Sequence, residues 1–405
     1  MKTKYKSPLP RRYLRQLREE AGKYIVIFLL LVFTIGLISG FLVADGSMII
    51  AYEESFEKYN MEDGNFKTDE EISRSNRRDI EDLGVRLYDN FYIEKNLENG
   101  GALRVFADRS EVNLLCLMKG AMPGRSGEMA VDRMYADNNG LQIGDRIRFG
   151  RRDYTVTGFV AFPDYSALFR DNNDAMFDAV QFGIAAVTQE DFDRFLSNEL
   201  VYCYSWKYTV SRDAADAIYI PSNTEEEKIV SDRLMEKVAD EIYLEDFTPR
   251  YLNQAIQFTG EDMGSDRAMM LVLLYIVIVI VAFVFIVTID DTITKEAAVI
   301  GTLRATGYTR GELIRHYMVL PVSVTLAAAL AGNVLGYTWM KEVCAAMYYN
   351  SYSLPTYVTV WNAEAFVLTT LVPMAIMLAS TFLILLRRLA LSPLRFLRRD
   401  LRGPG

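Results

Sequence analysis

The sequence predicts a membrane protein of four transmembrane α-helices, with a large α+β extracytoplasmic domain inserted between spans 1 and 2. Three observations lead there. Four runs, Tyr24–Ala44, Ala268–Ile289, Tyr317–Met340 and Ala365–Leu386, carry no charged residue, and about twenty apolar residues in a helix cross a hydrocarbon core of roughly 30 Å. Basic residues crowd the outer sides of the first and last runs: Lys2, Lys4, Lys6, Arg11, Arg12, Arg15, Arg18 and Lys23 before, and Arg387, Arg388, Arg395, Arg398, Arg399 and Arg402 after. Lysine and arginine near span ends stay in the cytoplasm, so both termini are expected inside a cell membrane. The segment 45–267 then lies outside, and its 25 Lys and Arg against 44 Asp and Glu leave it near −19, within a chain of 405 residues whose net charge is −9.

Each part follows in order. Residues 1–23 form a basic cytoplasmic segment, in which Tyr13, Leu14 and Leu17 lie among arginines and suit a short helix on the headgroup surface. The run 24–44 is too long and too far from the N-terminus for a cleaved leader, so it is read as span 1. Its Gly36 and Gly40 are spaced to let another helix approach closely. Helical character continues through residues 45–60 as a stalk, and residues 249–266 form a second stalk into span 2. Between the stalks, TDEEISRSNRRDIEDLG (68–84) reads as a helix opened by a Thr68–Glu71 capping box. RLYDNFYI (86–93), GALRVFA (101–107) and VNLLCLM (112–118) read as strands, and SNTEEEKIVSDRLMEKVADEIY (222–243) as an amphipathic helix. The stretch 123–165 reads as strand, short helix, a Gly144-Asp145 turn, and two strands joined across Gly150–Asp153.

Span 2 (268–289) leads into an inner loop, residues 290–316. Ala297, Ile300, Leu303 and Ala305 share one side at helical spacing while Glu296, Thr302 and Arg304 share the other. Gly307 ends that helix, and Thr309 with Glu312 fits the capping box that starts the next. Span 3 (317–340) holds a second small-residue stripe, Gly332 and Gly336. An outer loop, 341–364, carries tyrosines and Trp361, which with Trp339 suit an interfacial aromatic belt. Span 4 (365–386) is followed by a basic cytoplasmic tail, 387–405.

Composition excludes several functions. Cys116, Cys203 and Cys344 show no metal-ligand spacing, and His316 is the single histidine, so neither a metal centre nor a histidine-activated nucleophile is expected. A Cys116–Cys203 disulfide is open in an oxidising compartment. The acidic outer segment argues against nucleic acid. The phosphate-binding pattern GxxxxGK[ST] does not occur, so this chain is expected to bind no cofactor, to be non-catalytic, and to take its energy from a partner.

The segment KEAAVIGTLRATGYTRGELIRHYMVLPVSVTLAAALAGNVLGY (295–337) resembles the signature of the FtsX-like permeases. Glu296, Gly301, Leu303, Arg304, Ala305 and Gly307 stand at the matching positions, and Gly332 and Gly336 supply the small residues that follow. Ala298-Val299 departs from the bulkier residue common beside that glutamate. The stretch 123–165 is similar to the outer core of the MacB-type members. The resemblance implies a permease subunit of the mechanotransmission class of ABC transporters. A cytoplasmic ABC ATPase, which binds the ATP, would dock on Glu296, Ile300, Gly301, Leu303, Arg304, Gly307, Thr309 and Glu312. Its motion would pass through the stalks to the outer domain, for export or extrusion of amphiphilic, lipid-linked or peptide-like cargo. The same machine used for signalling, through a cell-wall hydrolase or a sensor kinase, is the alternative, and a membrane-anchored receptor without an ATPase is a more distant one. The tail LSPLRFLRRDLRGPG resembles the junction after the first half of large Gram-positive permeases, so a second permease unit, as homodimer or paired half, is expected among membrane lipids.

Overall fold

A computed structural model describes residues 12–98, 100–211 and 218–398. The basic residues Lys2, Lys4, Lys6, Arg11, Arg399 and Arg402 lie outside them. In chain order the elements begin with α1 (Arg12–Glu19), α2 (Ala21–Lys58), β1 (Gly64–Thr68), α3 (Arg74–Glu81), β2 (Val85–Asp89), β3 (Tyr92–Asn96), β4 (Ala102–Ala107) and β5 (Cys116–Gly120). Next come β6 (Glu128–Asp132), α4 (Arg133–Asn138), β7 (Arg146–Phe149), β8 (Arg152–Ala161), β9 (Phe182–Val187), α5 (Gln189–Phe192), β10 (Tyr202–Tyr208), α6 (Thr224–Glu241) and β11 (Asp246–Pro249). The chain closes with α7 (Gln254–Lys295), α8 (Ala297–Ala305), α9 (Arg310–Leu335), α10 (Lys341–Ser351), α11 (Ala363–Phe366), α12 (Val372–Arg388) and α13 (Pro393–Leu397). The chain divides into a helical unit, residues 1–46, 265–345 and 359–405, and an α+β unit, residues 47–264 and 346–358.

Four helices among the described residues are long and apolar enough to cross a membrane: Ala21–Lys58, Gln254–Lys295, Arg310–Ser351 and Ala363–Arg388. The last two each contain a π-helical turn, at Gly336–Met340 and Val367–Leu371. Their interior is built in tiers. Ile27, Leu31 and Ile35 pack with Val281, Phe285, Ala328, Ala329 and Met377; Ile38, Leu42 and Val43 pack with Leu274, Ile278 and Ala365. Asn333 is buried between α9 and the π turn of the last span. Its Nδ2 donates to the Thr370 hydroxyl at 2.7 Å and to the Ala329 carbonyl at 2.8 Å, which satisfies a polar group that would be costly to leave bare in an apolar interior.

The α+β unit holds two sheets. One has the order β11-β1-β10-β2 and is antiparallel throughout; the other runs β3-β4-β9-β6-β8-β5, with β7 also paired to β8. In the second sheet β4 pairs β9, and β6 pairs β8, in parallel. Trp206, Phe66 and Tyr204 fill the core beneath α6, while Val105, Val131, Val156, Ile184 and Tyr135 fill the core of the larger sheet.

Several local expectations are corrected. The Thr68–Glu71 capping box does not form: Thr68 ends β1, paired with Tyr202, and the following helix starts at Arg74, with Ser73 as its cap accepting from Asn76 N. RLYDNFYI is two strands, because the chain passes from β2 in one sheet to β3 in the other. In VNLLCLM only the Cys116 end is strand. The helix of the second stalk begins at Gln254, since Pro249 still belongs to β11. Within the 341–364 segment α10 continues to Ser351, and residues 346–358 group with the α+β unit, with Tyr352, Ser353 and Leu354 buried. Cys116 and Cys203 are separate buried thiols; burial pushes the Cys203 thiol up to about 12.

Candidate coupling site

The segment between the second and third long helices is a helix, a tight turn and the start of a second helix. Leu303 and Arg304 end α8 in a pair of reverse bonds, Tyr308 N to Leu303 O at 3.1 Å and Gly307 N to Arg304 O at 3.3 Å. This six-to-one and five-to-two pairing places the residue after the cap in the left-handed region, and Gly307 has φ of +105°. The next helix is capped in both directions: Glu312 N donates to the Thr309 hydroxyl at 3.3 Å, and Thr309 N donates to the Glu312 carboxylate at 2.8 Å. The bonds from Thr309 hold the Glu312 carboxyl below its ordinary value.

The apolar side of α8 is covered by the same chain. Ala297 and Ile300 are buried with Ile293, Leu313, Tyr317, Leu385, Leu389 and Phe396, and Leu303 packs partly against them. Gly301 explains itself here: a Cβ at that position would lie 2.9 Å from Leu397 Cγ and 3.1 Å from Leu397 N, so α13 sits where only glycine leaves room. Arg304 reaches the end of the last span, with Nη1 donating to the Leu391 carbonyl at 2.6 Å and the Leu389 carbonyl at 3.0 Å. A cation over the bare carbonyls of a helix C-terminus is favourable. Burial and the nearby Arg310 nonetheless depress its pKa. Glu296 accepts from the Tyr317 hydroxyl at 2.5 Å. Thr302, Ala305, Thr306, Gly307, Thr309, Arg310, Gly311 and Glu312 are exposed.

The site residues therefore separate into two sets. Glu296, Ile300, Gly301, Leu303 and Arg304 fasten α8 to α9, α12 and α13, whereas Gly307, Thr309 and Glu312 shape an exposed tip. Ala305, on the apolar side by spacing, is also at that tip.

Charged groups at one set of ends of the long helices form a collar that sequence reading missed. Asp291 pairs with Lys23, and with Lys295 at 2.9 Å; Lys23 first, then Lys295, holds the Asp291 carboxyl below the usual carboxylate range. Asp290 accepts from Arg388 Nη2 at 2.7 Å. Two consecutive aspartates thus join the bases of the first, second and last spans. The legible signal was an Asp-Asp pair directly after one apolar run, with Lys23 directly before another and Arg387-Arg388 directly after a third.

The two glycine stripes meet each other. A Cβ on Gly336 would lie 2.9 Å from the Gly36 carbonyl oxygen and 3.0 Å from Gly40 N, and one on Gly332 would lie 2.8 Å from Ile35 Cβ. Backbone approach of this kind depends on small residues.

In the α+β unit a groove of about 530 Å³ lies among β2, the 107–112 loop and α5. Phe91, Phe106, Phe192 and Phe195 line it together with Asp89, Asp108, Glu111 and Asp193. Arg77 is bound to Asp89 at 2.7 Å, and Arg109 to Asp164 at 2.7 Å, so both cations of the groove are neutralised by partners. Burial pushes the Asp108 carboxyl up. Ser126 donates to Asp191 at 2.6 Å, and no group of three or more His, Cys, Asp or Glu side chains with metal-binding geometry occurs among the described residues.

With four long apolar helices and the α8–α9 turn in place, the comparison with known families is direct: residues 271–393 match the model of the FtsX-like permease C-terminal domain. The chain is thus a membrane protein carrying an FtsX-like permease domain, consistent with an ABC transporter permease of that kind. Such subunits generally lack catalysis of their own and usually work with a cytoplasmic ABC ATPase. No match to a curated protein was found.

Proposed function

We propose that this chain is the transmembrane subunit of an ABC system in which a separate cytoplasmic ATPase grips the α8–α9 tip. The ATPase binds the ATP, and its motion is relayed along α2 and α7 to the α+β unit on the other side of the cell membrane. A second permease unit, as homodimer or paired half, completes the machine. The observation that carries this reading is the division of the inner loop: one side is locked to the ends of the spans, and the other is an exposed tip of defined shape. A push on the tip is therefore delivered to the spans rather than absorbed by a floppy loop. The phenylalanine-lined, acid-rimmed groove supports an amphiphilic or peptide-like cargo bearing positive charge, because aromatic walls and a surplus of carboxylates over cations suit such a molecule.

The test is purification of tagged full-length chain from its own cells, in mild detergent, with co-purifying proteins identified and counted. We expect one ATPase copy per permease copy, lost on substituting Ala305→Glu together with Thr306→Glu and kept on Ala305→Ser. A chain that emerges alone, or an ATPase unaffected by the double substitution, overturns the docking site.

A further inference from the structure

Residues 346–358 comprise the end of the third long helix and most of the chain that leads to the fourth, and they are fixed inside the α+β unit by a specific set of bonds. Asp132, at the end of β6, uses one carboxylate oxygen to cap α4, accepting from Met134 N at 2.9 Å and Tyr135 N at 3.1 Å. Its other oxygen accepts from the Ser353 hydroxyl. Arg133, next in the chain, turns its guanidinium the same way: Nη2 donates to the carbonyls of Tyr349 and Tyr352, each at 2.7 Å. Those carbonyls lie at the C-terminal end of α10, where backbone acceptors lack helical donors and a cation is favoured.

The grip is reinforced around its rim. Ser353 N donates to the Ser166 carbonyl at 2.8 Å, and the Tyr352 hydroxyl donates to Asp262 in α7 at 2.6 Å. Ser353 is fully buried and Tyr352 nearly so. A connection serving only to turn the chain between two spans has no need of a buried Ser353 hydroxyl bonded to Asp132, and of the Tyr349 and Tyr352 carbonyls bonded to Arg133, all across more than two hundred residues of sequence. Leaving any of these partners bare would be costly, so the segment is held in one place as long as the α+β unit is folded.

We propose that the Asp132–Arg133 pair is a clasp, and that it makes the 346–358 segment a third mechanical connection into the α+β unit, beside α2 and α7. Motion of the last two spans is then transmitted to the larger sheet through β6 and α4, and motion of that sheet returns by the same route. Asp132 and Arg133 are positioning residues in this scheme; they touch no cargo. The transmission half of the inference rests on the relay reading above, whereas the clasp itself does not.

The two are separated by hydrogen exchange on full-length chain in lipid nanodiscs. Without nucleotide or partner, the Ser353 amide and its neighbours in 349–357 are expected to be protected. Arg133→Ala, and independently Ser353→Ala, should speed their exchange about tenfold or more, while strand amides of Val105 and Ile184 stay as slow as in the unaltered chain. Unchanged exchange at 349–357 in Arg133→Ala overturns the clasp. If Arg133→Ala unfolds the unit, seen as fast exchange at Val105, Ser353→Ala alone decides. In the complex with its co-purified ATPase, a non-hydrolysable ATP analogue should alter exchange at 349–357 in the unaltered chain and not in Ser353→Ala. A change confined to α2 and α7 overturns the third connection and leaves the relay standing. Failure to recover any ATPase removes the relay and leaves the clasp to the first measurement.

Discussion

Adding one methyl group to Gly336 tests the helix crossing most sharply. In Gly336→Ala the new carbon would stand 1.9 Å from the Ser39 hydroxyl, 2.9 Å from the Gly36 carbonyl oxygen and 3.0 Å from Gly40 N. The hydroxyl can rotate away, but the two backbone atoms cannot. Carbon contacts reach their optimum near 3.5–4.0 Å, so the helices must part by roughly half an ångström or more along the seam. That forfeits dispersion contacts on both faces, and overpacking of this kind costs about 1–3 kcal/mol. The four glycines should rank by what each would strike. Gly40 meets Met340 Cβ at 2.6 Å and Lys341 N at 2.9 Å, and Gly332 meets Ile35 Cβ at 2.8 Å and the Val32 carbonyl at 3.1 Å. Gly36 is milder, meeting chiefly the mobile end of Leu335 at 3.0 Å. Gly264→Ala is the control, because nothing lies within 4 Å of its added carbon and alanine favours a helix over glycine by roughly 0.5–1 kcal/mol. Thermal denaturation in detergent, followed by the loss of the monodisperse size-exclusion peak, gives the order. A Gly336→Ala chain as stable as the unaltered one, or Gly36→Ala more damaging than Gly336→Ala, would refute the reasoning.

Two further outcomes follow from local chemistry. Burial, opposed by Ser353, Tyr135 N, Arg133 and Met134 N, pushes the Asp132 carboxyl up to about 6 from its ordinary 3.8. The folded state thus favours its protonated form. This contribution to stability is fully present below about 4 and is lost as pH rises towards 6, about 3 kcal/mol in all at roughly 1.4 kcal/mol per pH unit. Asp132→Asn should flatten that part of the profile in urea titrations at pH 4 to 7.5, and an unchanged slope would count against the assignment. At the turn, Gly307→Ala places a side chain at a φ of +105° and should cost about 1–2 kcal/mol. Melting temperature checks it against Gly311→Ala, whose added carbon meets nothing within 4 Å; equal melting of the two would show the turn relaxing freely.

Much of the protein is decided by neighbours in sequence and is legible there. Each span is set by its own run of apolar side chains, since hydrophobicity acts residue by residue. The α8–α9 turn is local too: Gly307 supplies the positive φ, and Thr309 and Glu312 cap each other three residues apart. Spacing likewise singled out Gly36, Gly40, Gly332 and Gly336 as places for close approach, but not that the two stripes would face one another. Where long-range pairing competes with a local signal, the local signal loses. Thr68 and Glu71 carry the capping pattern, yet the ladder of β1 with β10 claims Thr68 and moves the cap to Ser73.

The remaining features depend on groups far apart along the chain. Gly301 looks like a signature glycine in sequence, and only the structure shows that Leu397 occupies the space a side chain would need. Arg304 looks like a docking cation, and only the structure shows it bound to the Leu389 and Leu391 carbonyls. Ser353, in a stretch that reads as an interfacial loop, meets Asp132 from more than two hundred residues away. Periodicity and capping report on contacts within a few residues. Which carbonyl an arginine finds, and which helix fills the space beside a glycine, is settled only when the spans assemble and the two sheets close.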